Sequence, residues 1–190
     1  SERLDPPLID VVVKGGYRKG DKNIPEAEAI VQQIVAIIAD ESMVGRTVGV
    51  VTLLGNEQAK YILELVNKRI PGEEIIAREI SVGPPPVFQG RERDIMMVSM
   101  VLQAGNNTAS NILAQQQRFN VALSRARDRT YLFRSVPDDA FPADSLSGRL
   151  LRHFRQPFAQ DPKTVSATRE MCESPFEEEV YDVLIKRGYR

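Results

Sequence analysis

Short β-branched runs alternating with amphipathic helical stretches predict an α/β fold for this 190-residue chain, a parallel sheet flanked by helices. Three observations carry the prediction. Apolar runs at residues 8–13 and 47–54 each stop at glycine, as buried strands do. Between them, Ala27, Ile30, Val31, Ile34, Ile37 and Ile38 recur at helical spacing, and the same alternation continues to about residue 133.

Taken in order, the first strand covers residues 8–13 and a loop follows through Asp21. Asn23 caps a helix whose first turn holds Glu26 and Pro25, and the missing N–H of Pro25 is harmless there. After the strand at 47–54 comes a helix at 57–68, and residues 75–80 read as a third strand. Gly83-Pro84-Pro85-Pro86 cannot continue a ladder, so it forms a stiff turn into Val87 and Phe88. Residues 95–102 read as a buried strand, 103–110 as a polar loop, 115–127 as a helix, 130–133 as a strand and 146–154 as an amphipathic helix. The organisation expected is one main domain over 1–155, a polar linker over 156–171 and the start of a further unit over 172–190.

Twenty-five basic and 26 acidic residues leave a net charge of -1, so no global field advertises a nucleic acid or a membrane, and any such partner is held locally. The lone Cys172 excludes an internal disulfide and a cysteine zinc site, which suits a reducing cytoplasm. No apolar run is long enough to cross a bilayer, so no membrane partner is expected. His153 lies between basic residues with no second histidine, a surface position rather than a base or ligand.

Two stretches can carry chemistry. In Gln89-Gly90-Arg91-Glu92, directly before an apolar strand, the glycine lets backbone approach a ligand, and Gln89 and Glu92 can reach the hydroxyls and ring of a nucleotide. By itself such a run is also a charged turn before a strand. In the second stretch, residues 117–127, a helix would set Arg118 and Arg125 side by side opposite an apolar face of Phe119, Ala122, Leu123 and Ala126. Planar, permanently charged guanidinium forks suit phosphate oxygens, and a solvated basic helix face has the same composition. Glu92 and Asp94 could be a paired-carboxylate metal site, but Arg91 and Arg93 are expected to neutralise them.

Together with Val48 to Leu54 and Gln58, with Ser99, and with Asn23-x-x-Glu26-Ala27, these stretches resemble motifs IV, V and VI of superfamily 1 helicases, in order. The wording Gln-Gly-Arg-Glu and Asn-Val-Ala-Leu-Ser-Arg-Ala-Arg is similar to the branch of the nonsense-mediated-decay helicase and its bacterial relatives. The resemblance covers roughly residues 8 to 135 and implies a RecA-like domain of the P-loop NTPase fold, with ATP and Mg²⁺ bound between it and an upstream RecA-like domain. It implies that Gln89, Gly90, Arg91, Glu92 and Arg118 border the nucleotide, that Arg125 is the arginine finger, and that Thr52, Gln58 and Ser99 meet single-stranded DNA or RNA. No Gly-x-x-x-x-Gly-Lys-Ser/Thr loop occurs, so the phosphate cradle is expected upstream and the chain alone is expected not to hydrolyse ATP. Leu102 stands where relatives often carry arginine, a departure that removes one nucleic-acid contact.

Residues 172–180, with Leu184 and Gly188-Tyr189, also resemble the opening helix of a Vsr-like nuclease domain, in which Glu177 or Glu179 would help to hold a metal. The main Asp and Glu-x-Lys segment of that domain does not occur through Arg190, so no competent nuclease site is expected. Two other classes remain in view. One is a non-enzymatic α/β nucleic-acid binder using Arg118, Arg125 and Arg127. The other is a flavodoxin-like small-molecule binder, for which Lys14-Gly15-Gly16-Tyr17 is a poor phosphate loop.

Overall fold

In the computed structural model, which describes residues 4–54, 56–102, 123–142 and 145–155, the apolar runs at Leu8–Val12 (β1), Val48–Thr52 (β4), Ser81–Gly83 (β5), Arg93–Ser99 (β6) and Ala126–Arg134 (β7) become strands of one sheet. Its order is β1-β7-β6-β4-β5, and every pairing within it is parallel. Two-residue strands Arg18–Lys19 (β2) and Lys22–Asn23 (β3) form an antiparallel hairpin between β1 and the first helix.

Side chains alternate across the strands, so each strand feeds two cores. Val48, Val50, Ile95, Met97, Tyr131 and Phe133 face helices Ile24–Ala39 (α1) and Glu57–Arg69 (α2), whose Ile30, Ile34, Ile62 and Val66 are fully buried. Val51, Met96, Val98 and Leu132 face the other way, against Leu150, Leu151 and Phe154 of Leu146–Arg155 (α4). The fold is therefore the expected α/β arrangement of a parallel sheet between helical layers, with the architecture of a P-loop NTPase-like domain.

Three local expectations change. Residues 75–80 are not a strand: Gly72–Ala77 is a short helix (α3) behind Pro71, and the strand starts at Ser81. The reason is burial. Glu73 and Glu74 suit a helix N-terminus, and Ile75 and Ile80 pack on the core while Ile76 between them is 79% exposed, so the run buries one side only. The strand expected at 130–133 begins at Ala126, because pairing of Ala126 with Arg93 extends the central ladder over a charged stretch. Those charges are satisfied in place: Asp128 binds Arg46, and Arg129 donates to the carbonyls of Asp5 (3.0 Å) and Pro6 (2.9 Å). β1 is a half-buried edge strand rather than a buried one. The expected helix at 115–127 lies mostly outside the described residues, as do the linker at 156–171 and the nuclease-like segment at 172–190.

Candidate functional site

At the N-terminal end of the sheet, β6 and β7 enter side by side. Phe88, 1% exposed, closes a tight turn at Pro85–Phe88 and leaves Gln89, Gly90, Arg91 and Glu92 in solvent. Gly90 sits at φ +73 with open space where a side chain would be, so ligand and backbone can meet there. Arg93 N donates to the Arg125 carbonyl at 2.9 Å, and Arg127 Nε donates to Glu92 Oε2 at 3.0 Å. The structure thus brings Arg125 to the same end of the sheet as the 89–92 turn. Among the described residues, the buried Arg125 Nε has no hydrogen-bond partner, which is costly for a buried polar atom and rare without a reason. Arg118 lies outside the described residues.

The carboxylates of this end are neutralised differently than expected. Arg127, not Arg91 or Arg93, lies between Glu92 and Asp94, at 3.0 and 4.0 Å. Arg93 instead turns away to the Glu79 carbonyl and Ser81 Oγ, both at 3.1 Å. Asp94 Oδ2 accepts from Thr47 N and Oγ1 at 2.8 Å each. Burial pushes the Asp94 carboxyl up, but the Thr47 bonds and the nearby Arg127 and Arg46 outweigh it and hold the group below its ordinary range.

Thr52, Gln58 and Ser99 gather at the opposite, C-terminal end of the strands, yet none presents its side chain to a ligand. Thr52 is 1% exposed, and Gln58 and Ser99 are wholly buried. Gln58 clasps the Asn23 backbone, accepting from its N–H at 2.8 Å and donating to its carbonyl at 3.0 Å, and donates to Ser99 Oγ at 3.2 Å. None of the three side chains is exposed for the expected nucleic-acid contact: Gln58 and Ser99 are engaged in the hydrogen bonds that tie the strand ends to Asn23.

The hub of this end is Glu26, noticed in the sequence only as part of a pattern. Asn23 caps α1 by accepting from Glu26 N at 3.1 Å, and in an ordinary capping box Glu26 would return the bond to Asn23 N–H. Gln58 already takes that donor, so Glu26 turns inward. Its Oε2 accepts from Ser99 Oγ (2.8 Å) and Val101 N (2.9 Å), and its Oε1 from Asn23 Nδ2 (3.0 Å) and Ser135 Oγ (3.0 Å). Val101, a β-branched residue in the unfavourable left-handed region at φ +58, donates its N–H to this carboxylate. Burial raises the Glu26 pKa to about 7, against the opposing pull of the bonds from Val101, Ser99 and Ser135.

These residues fit one side of a nucleotide. The exposed positive-φ Gly90 and the Arg125 side chain are the groups open to a ligand, the Glu92 carboxylate is exposed but held by Arg127, and the sequence contains no phosphate loop. Among the described residues, no group of three or more His, Cys, Asp and Glu could hold a metal ion, and none of the helices is long and apolar enough to cross a membrane.

Comparison with known proteins agrees with this architecture. Residues 12–135 match the family described as AAA domain. The chain is 25% identical over 107 residues, 56% of its length, to the DNA replication ATP-dependent helicase/nuclease dna2 of Schizosaccharomyces pombe, and 28% identical over 131 residues, 69% of its length, to DNA2 of Homo sapiens. It is 30% identical over 99 residues, 52% of its length, to the Regulator of nonsense transcripts 1 homolog of Arabidopsis thaliana. These matches span 7%, 11% and 8% of the respective relatives. A parallel sheet with an arginine beside a glycine turn at its N-terminal end, and a family match from the last residue of β1 through β7, make this chain a member of the AAA domain family, of helicase-like type.

Proposed function

We propose that the chain is the second RecA-like motor domain of a superfamily 1 ATP-dependent helicase, acting on single-stranded DNA or RNA in the cytoplasm. It works against an upstream RecA-like domain that supplies the phosphate loop and the Mg²⁺ site, and it is inactive as an ATPase alone. The observation that carries the reading is the buried Nε of Arg125, without a partner among the described residues, next to the turn of Gln89, Gly90, Arg91 and Glu92. A partly exposed guanidinium whose buried Nε has no partner among the described residues is accounted for when the ligand arrives from another domain.

In this reading Glu92 orients the nucleotide sugar and Gly90 admits the nucleotide to the backbone. Arg125 places a fixed positive charge where negative charge grows on the transferring phosphoryl group. Because it is held in position beforehand, it needs no reorganisation during the reaction. The DNA-directed names of two relatives support DNA over RNA, and the third name supports RNA.

The test is nucleic-acid-stimulated ATP hydrolysis by the parent protein, wild type against Arg125→Ala. Loss of a phosphate-stabilising donor is expected to lower hydrolysis about 10²-fold or more with nucleic-acid affinity nearly unchanged. Unchanged hydrolysis with weakened binding would instead place Arg125 in a phosphate patch of a non-enzymatic binder, whose affinity falls steeply with salt and ignores ATP.

A further inference from the structure

We propose that residues 14–22, the turn after β1 and the β2–β3 hairpin, form a contact for single-stranded nucleic acid, with Tyr17 stacking on a base and Lys14 and Lys19 meeting phosphates. The proposal rests on the nucleic-acid reading of the domain given above. It answers a question the structure raises: the side chains expected to line the track at the C-terminal strand ends are buried, so the contact surface must come from elsewhere on that edge.

Position is the first argument. The segment starts and ends on the buried network at the strand ends. Gly16 lies so close to Ser135 that a Cβ there would fall 1.9 Å from Ser135 Oγ. At the other end, Asn23, the last residue of β3, is held by Gln58 through both backbone groups, and its Nδ2 donates to the Leu102 carbonyl and to Ser135 Oγ, each at 2.9 Å. Gln58 and Ser135 in turn bind Ser99 and Glu26. The hairpin is thereby fastened beside the exits of β4, β6 and β7.

Chemistry is the second. In a chain of net charge -1, residues 14–22 hold four basic side chains against one acidic. Arg18 is turned onto Asp21 at 3.0 Å, and Lys22 lies 5.4 Å from the centre of the Tyr61 ring. Lys14 and Lys19 are exposed, and among the described residues no hydrogen bond or ion pair engages them. Tyr17 is 51% exposed and belongs to neither core. A large aromatic ring between free lysines, on a short hairpin fixed at both ends, matches how single strands are bound: phosphates on cations, bases on π-faces, with little ordering of the protein on binding.

The experiment is fluorescence anisotropy of labelled oligothymidylate and oligouridylate with this chain across a salt series. Tyr17→Ala is expected to weaken binding roughly 5- to 150-fold, and Tyr17→Phe, which keeps the ring, to restore most of it. Lys14→Ala with Lys19→Ala is expected to lower the slope of log affinity against log salt by about 1.4, near 0.7 per lost phosphate contact. Thermal melts should be unchanged, since all three side chains are exposed. Wild-type binding with unaltered affinity and slope in the variants overturns the hairpin proposal alone. No binding of either oligonucleotide by the wild-type chain overturns it together with the nucleic-acid reading of the domain.

Discussion

Glu26 makes the stability of this domain depend on pH in a direction opposite to most carboxylates. The group is buried among four hydrogen-bond donors, two of them N–H groups that cannot reverse, from Val101 and Asn23. Among the described residues no cation pairs with it, and burial lifts its pKa from 4.5 to about 7. At ~1.36 kcal/mol per pKa unit, that shift corresponds to roughly 3 kcal/mol over the whole titration. The folded state holds the proton more tightly than the unfolded state does. The contribution is therefore complete below about 4.5 and is lost as pH rises through about 7. Between about pH 6 and pH 8 the expected loss is ~1.3 kcal/mol, or roughly 3–5 °C in Tm for a chain of this size. The assay is thermal unfolding of wild type and Glu26→Gln at both pH values. The amide does not titrate, so its curve should be flatter by that amount. It should also start lower, by ~1–3 kcal/mol at the acid end, because its NH₂ must face either Val101 N–H or Asn23 Nδ2. Parallel pH dependence in the two proteins would refute the account, since the titrating group would then not be Glu26.

Two other expectations concern the fold. Arg134 is 2% exposed and holds Asp10 with two bonds, Nε to Oδ1 at 2.7 Å and Nη2 to Oδ2 at 2.6 Å, so Asp10→Ala should cost about 3 kcal/mol in urea unfolding, the low end for stranding a buried charge because Asp138 still faces it. A midpoint indistinguishable from wild type would mean that Asp138 suffices. Ile76→Lys should be tolerated within ~0.5 kcal/mol, because the side chain projects from α3 into solvent; a loss of several degrees in Tm would restore a buried strand at 75–80.

Much of this could be read in the residues in order. Helix α1 starts at its cap and proline, and β4 and β6 coincide with their apolar runs within two or three residues, because period and capping are local properties of a chain. The two stretches around Gly90 and Arg125 were also legible, since their residue types state the chemistry before any fold is known. Burial was not legible. The run at 75–80 looks like a strand until the sheet turns out to have no place for it, and Ala126 and Arg127 look helical until a central strand recruits them.

The buried network shows the same division most clearly. Asn23, Glu26, Gln58, Ser99 and Ser135 are up to 112 positions apart, and only the parallel crossovers bring them to one end of the sheet. The sequence by itself determined the fold class, the capped first helix and the polarity of the site residues. The tertiary structure alone decided that Gln58 and Ser99 face inward, that Glu26 bonds four partners instead of capping its own helix, and that Arg125 keeps an unsatisfied nitrogen. Hydrogen-bond partnership and burial depend on neighbours distant in the chain, and no local pattern encodes them.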